Sequence, residues 1–173
     1  EFQYLLQHSG ATIVCVDHDY LEAVDRLRPE LPGVRHFVAL SGTAAGWLDY
    51  AALVAAATPT PERPTVAETN LLTINYTSGT TSRPKGVMIT HRNAWVNAVG
   101  MLIHMPMSAV DRYLWTLPMF HANGWTFTWI VTAIGGRHVC LRKIDPAAVF
   151  RLIADEGVTF LCAAPTVLIA LAN

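Results

Sequence analysis

Short apolar runs rich in β-branched residues alternate with stretches of helical period along almost the whole chain, and this alternation narrows the fold more than any other feature. Residues 11–17 (ATIVCVD), 35–40, 71–76, 87–90, 112–117, 138–141 and 159–163 read as strands. Residues 2–10, 20–28, 47–57, 93–105, 125–134, 145–157 and a last segment opening at Pro165 read as helices. Asp145-Pro146 supply an N-cap and a first-turn proline, and Gly157 a stop. Helix 93–105 is expected to bury Trp95, Ala98, Val99 and Leu102, which share one face at helical spacing. Strands separated by helices pair in parallel and are covered on both faces. The expectation is therefore an α/β fold with a mainly parallel sheet covered by helices.

Composition removes several function classes. Apolar residues make up 52% of the 173 residues and charged ones 14%, with a formal net charge of -1. A disordered tail needs the opposite balance, and no basic excess exists to displace phosphate counterions from a nucleic acid. Three cysteines, an odd number, do not make a disulfide framework. They are expected to be reduced and buried, in a cytoplasmic protein. The longest stretch free of charge and histidine, residues 122–136, is shorter than the ~18–20 residues that cross hydrocarbon, so no transmembrane segment is expected. Glu1-Phe2-Gln3 does not form the basic start of a signal peptide. Residues 58–70 (TPTPERPTVAETN) are rich in proline and charge. They are the expected linker or surface crossing between an α/β subdomain of residues 1–57 and a second of residues 71–173.

The chemistry concentrates in residues 76–86, YTSGTTSRPKG. Thr77, Ser78, Gly79, Thr80 and Thr81 form an unbroken Ser/Thr/Gly run directly after a strand. Gly79 permits backbone conformations closed to other residues, and Lys85 follows on the same loop behind Pro84. Hydroxyls, free backbone N–H groups and one cation, delivered together by a strand, are what a polyphosphate requires. A solvated turn is the alternative, and the strands on both flanks argue against it. Neither G-x-x-x-x-G-K-[ST] nor G-x-G-x-x-G is met, because position 84 is proline and position 86 glycine.

The segment YTSGTTSRPKGVMITHRN resembles the phosphate-binding loop of the adenylate-forming superfamily, which includes acyl-CoA synthetases and the adenylation domains of peptide synthetases. It departs from the family pattern Y-T-S-G-T-T-G-x-P-K-G at Ser82, where glycine is commonest. Residues 117–129 (LPMFHANGWTFTW) resemble the family's substrate-side motif, in wording closest to fatty and other carboxylic acyl-CoA synthetases. Residues 160–168 (FLCAAPTVL) resemble the strand that backs the acyl pocket. The resemblance implies a partial N-terminal domain of an acyl-CoA synthetase. That enzyme joins a carboxylic acid, expected to be a fatty acid, to coenzyme A at the expense of ATP, through an acyl-adenylate, with Mg²⁺ as helper. The family's adenine, ribose and hinge motifs do not occur in the chain, so the isolated chain is expected to be inactive. An acyl-AMP ligase, a peptide-synthetase adenylation domain and a non-catalytic remnant are the alternatives.

The same resemblance implies the site. Residues Thr77, Ser78, Gly79, Thr80, Thr81 and Lys85 would hold the nucleotide phosphates. Lys85 and His121 would serve catalysis, and His121, Gly124, Trp125, Ala163 and Ala164 would line the substrate pocket. Metal ligands stay unassigned. Trp125 and Trp129, four apart, are expected on one helix, and His91 and Arg92 are read as structural. Apolar patches on a partial domain also make self-association an expectation.

Overall fold

The computed structural model describes residues 2–60, 62, 64–77 and 83–173; Glu1, Pro61, Arg63, residues 78–82 and the Asn123 side chain lie outside the description. The chain divides into two compact units. The first comprises Glu1–Thr65 and Tyr76–Gly86, the second Val66–Asn75 and Val87–Asn173. The division in the N-terminal half falls inside the proline-rich segment, and the stems of the expected phosphate loop group with the first unit.

The first unit opens with α1 (Phe2–Ser9) and β1 (Ile13–Val16), followed by a 3₁₀ turn His18–Tyr20 and α2 (Leu21–Asp25). A second 3₁₀ turn, Arg28–Glu30, precedes β2 (His36–Ala39), β3 (Leu48–Asp49) and α3 (Tyr50–Ala56). The three strands pair in parallel in the order β1-β2-β3. Val14, Val16, Val24, Leu31 and Phe37 form the core. The helix expected over 20–28 is split, because Asp17 caps its own short turn by accepting from the Asp19 amide and Pro29 enters the next one. The helix expected over 47–57 starts late for a similar reason. Trp47 donates to Asp25 and meets Phe37 edge-on at 5.4 Å. That anchor draws residues 48–49 into the sheet, and Asp49 then caps α3 through the Ala52 amide.

Strands β4 (Leu71–Thr77) and β5 (Lys85–Thr90) pair as a two-stranded ribbon. In the second unit α4 (His91–His104) begins on a capping box. Thr90 Oγ1 accepts from the Asn93 amide, and the Thr90 amide donates to Asn93 Oδ1. Ala94 and Ala98 are its buried residues, with Met101 and Leu102 packed on the same core. Trp95 and Val99, expected inside, are exposed. The small alanines let the helix approach the sheet, and the buried stripe is thereby rotated from the one read off the aromatic residue.

The second unit continues with β6 (Arg112–Trp115), α5 (Ala122–Trp125), α6 (Phe127–Ala133) and β7 (Arg137–Cys140). It closes with α7 (Pro146–Glu156), β8 (Phe160–Cys162) and α8 (Pro165–Ala172). The sheet runs β7-β6-β8, all parallel. Central β6 is buried on both faces. Tyr113 and Trp115 pack with Ala98, Phe127, Ile130 and Val131 on one side, and Leu114 packs with Val139 and Val149 on the other. This is the two-sided covering that the apolar run 112–117 implied. Helix α7 keeps its expected signals. Asp145 accepts from the Ala148 amide at 2.8 Å, a cap worth about 1 kcal/mol, and Gly157 ends the helix at φ 60°.

The cysteines correct a sequence expectation. Cys15 and Cys140 are exposed and only Cys162 is partly buried. Alternation explains this: Val14 and Val16 turn to the core, so Cys15 between them turns away, and Cys140 follows the inward Val139. Among the described residues no helix is long and apolar enough to cross a membrane.

Candidate active site

The expected phosphate loop is described only at its stems. Thr77 is the last residue of β4 and is exposed. Ser78, Gly79, Thr80 and Thr81 lie outside the described residues. Lys85 does not sit on the loop as expected: it is the exposed first residue of β5. Pro84 has no amide to give a ladder, so pairing starts at the next residue. Just before Lys85, the Pro84 carbonyl accepts from the Tyr4 hydroxyl, and before Thr77 the Tyr76 hydroxyl meets His8 Nδ1 at 2.7 Å. Tyr4 and His8 are residues that sequence reading missed. Nothing local in α1 signals a partner some seventy to eighty positions away.

In the second unit, the parallel register Trp115↔Cys162 places the ends of β6 and β8 side by side. Thr116 Oγ1, buried, donates to the Cys162 carbonyl at 2.6 Å and locks the two ends together. The loop carrying His121, Gly124 and Trp125 therefore leaves the same carboxyl edge of the sheet as Ala163 and Ala164. In open α/β sheets that edge is where ligands bind. His121 is exposed, and its backbone accepts from the Gly124 amide at 2.9 Å in a tight turn.

That turn has an unusual backbone. Ala122, Gly124, Trp125 and Thr126 all have positive φ (45°, 58°, 55° and 72°). Non-glycine residues adopt this region at a cost of roughly 1–2 kcal/mol each, and such conformations cluster at functional sites. The helix expected over 125–134 is broken there. Trp125 ends α5 and is exposed, whereas Trp129 lies within α6 and packs on the core. The two tryptophans do not share a helix.

Beneath Gly124 lies the Trp115 ring, so close that a Cβ on residue 124 would stand 2.3 Å from Cζ3. The ring is held from its other edge. Trp115 Nε1 donates to His138 Nδ1 at 3.0 Å, so the neutral imidazole carries its proton on Nε2. Nε2 faces Thr132 Oγ1 at 3.1 Å, and that hydroxyl donates to the Thr128 carbonyl at 2.7 Å. Burial lowers the His138 pKa and keeps the ring in this neutral state. Burial also raises the pKa of the Tyr113 hydroxyl beside it in the core and that of the Cys162 thiol. Neither group is poised to ionise near pH 7.

Two other features fall outside this arrangement. A cavity of about 460 Å³ opens between α4, α6 and residues 66–72, walled by Leu72, Ala94, Trp95, Ala98 and Trp129. None of the expected pocket residues lines it. Arg92, read as structural, ties this wall by pairing with Glu68 through both side chain and backbone. Asp17, His18 and Asp19 bring three potential ligand atoms together. They are engaged in the turn after β1, with His18 at 3.3 Å from Asp17 and 2.9 Å from Asp19. One of the three donors is an imidazole nitrogen, whereas Mg²⁺ takes oxygen ligands, so no described residue is assigned to the Mg²⁺ of a nucleotide.

The model of one enzyme family, AMP-binding enzyme, matches residues 1–173. The chain belongs to this family. Among curated relatives, it is 40% identical to 4-hydroxybutyrate–CoA ligase 2 of Metallosphaera sedula, over 100% of this chain and 33% of the relative. It is 36% identical to a peroxisomal butyrate–CoA ligase of Arabidopsis thaliana, over 94% of this chain and 31% of the relative. The chain thus spans about a third of the length of these relatives. Among solved structures, the inhibitor-bound N-terminal domain of FACL13 from Mycobacterium tuberculosis superposes with a TM-score of 0.87 at 24% identity. The match covers 99% of this chain and 42% of that one. At that identity the likeness speaks for the fold alone.

Proposed function

We propose that this chain is the phosphate-loop and acyl-side portion of an ATP-dependent acid–thiol ligase that makes acyl-CoA from a short carboxylic acid. The observation that carries the reading is the family match over the whole chain, and the segment YTSGTTSRPKG supports it. Two relatives are named for four-carbon acids, which favours a short aliphatic carboxylate over a long fatty acid. In the first half-reaction a carboxylate oxygen bonds to the α-phosphorus of ATP and the bond to the β-phosphate oxygen breaks, releasing pyrophosphate. In the second, the sulfur of coenzyme A bonds to the acyl carbon, AMP leaves with the electron pair, and the thiol proton passes to solvent.

The chain's own residues have three tasks in this reading. Thr77, Ser78, Gly79, Thr80, Thr81 and Lys85 hold the β- and γ-phosphates and offset the charge that grows on the leaving pyrophosphate. His121 orients the acid's carboxylate. Gly124 and Trp125, with Ala163 and Ala164 on the neighbouring strand end, bound the space for the acyl group. No general base is needed, because a carboxylic acid (pKa about 4) is ionised at pH 7. Mg²⁺, when bound, neutralises phosphate charge. The compartment in this reading is the cytoplasm, and a fluorescent fusion distinguishes it from the peroxisome of the butyrate relative.

The test is pyrophosphate–ATP exchange and thioester formation by a protein of full family length carrying this segment, with acids of graded length. Exchange with four-carbon acids is expected. Lys85→Ala is expected to lower kcat/KM by about 10²-fold, the scale of a lost transition-state contact, with an unchanged melt because Lys85 is exposed. Absence of exchange with every acid refutes the reading.

A further inference from the structure

We propose that α1 clamps the two stems of the phosphate loop, making Tyr4 and His8 positioning residues for the nucleotide phosphates; the second clause rests on the ligase reading above. Tyr4 and His8 stand one turn apart on the same face of α1, with their rings stacked at 5.1 Å and 27°. Each presents an edge-on contact to Tyr76, at centroid distances of 6.5 and 5.7 Å. The Tyr4 hydroxyl donates to the Pro84 carbonyl at 3.2 Å, and His8 Nδ1 meets the Tyr76 hydroxyl at 2.7 Å. The Arg83 guanidinium lies 5.9 Å from the Tyr4 ring centroid.

Tyr76 is the residue before Thr77, and Pro84 is the residue before Lys85. The two groups that flank the expected phosphate donors are thus bound to one helical turn, a rod rising only ~6 Å. Holding Tyr76 and Pro84 fixes the backbone from which Thr77 and Lys85, the next residues, present their side chains, so less ordering is left to be done when they meet an anion. The pairing strands limit the stems on one side, and α1 limits them on the other. Tyr76 thereby has a task in the motif apart from the phosphates: its hydroxyl and ring are the grip for the clamp. A helix serving only to complete the first unit would need none of these contacts. A further tie of α1, Gln7 Nε2 to the Glu30 carbonyl at 2.7 Å, supplies the control.

The test has two arms. In the 173-residue chain, hydrogen exchange is followed at the amides of Thr77, Arg83 and Lys85 for Tyr4→Phe, His8→Leu, His8→Asn and Gln7→Ala. Tyr4→Phe and His8→Leu are expected to exchange about 3- to 10-fold faster at these amides, the range one lost hydrogen bond supplies. His8→Asn, which keeps a polar partner for Tyr76, is expected to fall between, and Gln7→Ala to match the wild type. In the full-length ligase, Tyr4→Phe is expected to raise KM for ATP by about the same 3- to 10-fold while KM for the acid is unchanged. Unchanged exchange at the three amides, or equal acceleration by Gln7→Ala, overturns the clamp. Faster exchange with equal changes in both KM values overturns the positioning role. Faster exchange in a protein that adenylates no acid supports the clamp and refutes the ligase reading.

Discussion

Gly124→Ala is the substitution whose cost the structure defines most sharply, because two separate demands meet at one α-carbon. The residue sits at φ 58°, and an added Cβ would lie 2.3 Å from Cζ3 and 2.8 Å from Cη2 of Trp115. Trp115 has nowhere to retreat. It is 5% exposed, Tyr113 meets it edge-on at 4.9 Å, and its indole nitrogen is bonded to His138. The left-handed backbone costs alanine about 1–2 kcal/mol, and forcing one carbon into a filled core costs about 1–3 kcal/mol more. The sum, roughly 2–5 kcal/mol, is a large share of the stability of an ordinary domain. Gly135 separates the terms. Its φ is 71°, and nothing lies within 4 Å of a built Cβ, so Gly135→Ala should lose only the backbone term of about 1–2 kcal/mol. Urea titrations followed by near-ultraviolet circular dichroism measure both. A third variant, Gly124→Ala in a Trp115→Phe background, removes the clashing atoms and should bring the added loss down to that of Gly135→Ala. Equal losses for Gly124→Ala and Gly135→Ala in the native background would refute the close-contact reasoning.

Two further outcomes are expected. His138 has a folded pKa below its ordinary 6.5 because of burial, so the unfolded chain takes up the proton first. Stability is then full above about pH 6.5 and is lost as pH falls from there towards the folded pKa; His138→Phe should flatten this slope in melts taken between those limits. Ala164 is exposed at the N-cap of α8, two residues after β8, so Ala164→Trp should leave the melt unchanged. In a full-length ligase it should reduce kcat/KM more for each added methylene, by up to ~0.8 kcal/mol apiece. An equal loss for all acids at an unchanged melt would remove Ala164 from the acyl pocket.

The α/β alternation, the covering of β6 on both faces and the caps Asp145 and Gly157 are legible in the amino-acid order alone. Each depends on residues within one or two turns of each other, where period and capping rules act directly. The family is legible there too, because YTSGTTSRPKG is a contiguous string whose resemblance needs no folding to be read. The remaining features came from long-range packing. Cys15 and Cys140 faced outward because their neighbours claimed the core, and α4 turned its alanines inward in place of Trp95. The helix expected through Trp125 broke at Thr126, where four left-handed residues wrap the loop over Trp115. The grip of Tyr4 and His8 on the stems of the expected phosphate loop, and the line from Gly124 through Trp115 to His138, join residues from nine to eighty positions apart. Contacts at that range follow from which strands pair and which faces pack, a choice made by the whole chain at once and written in no local pattern.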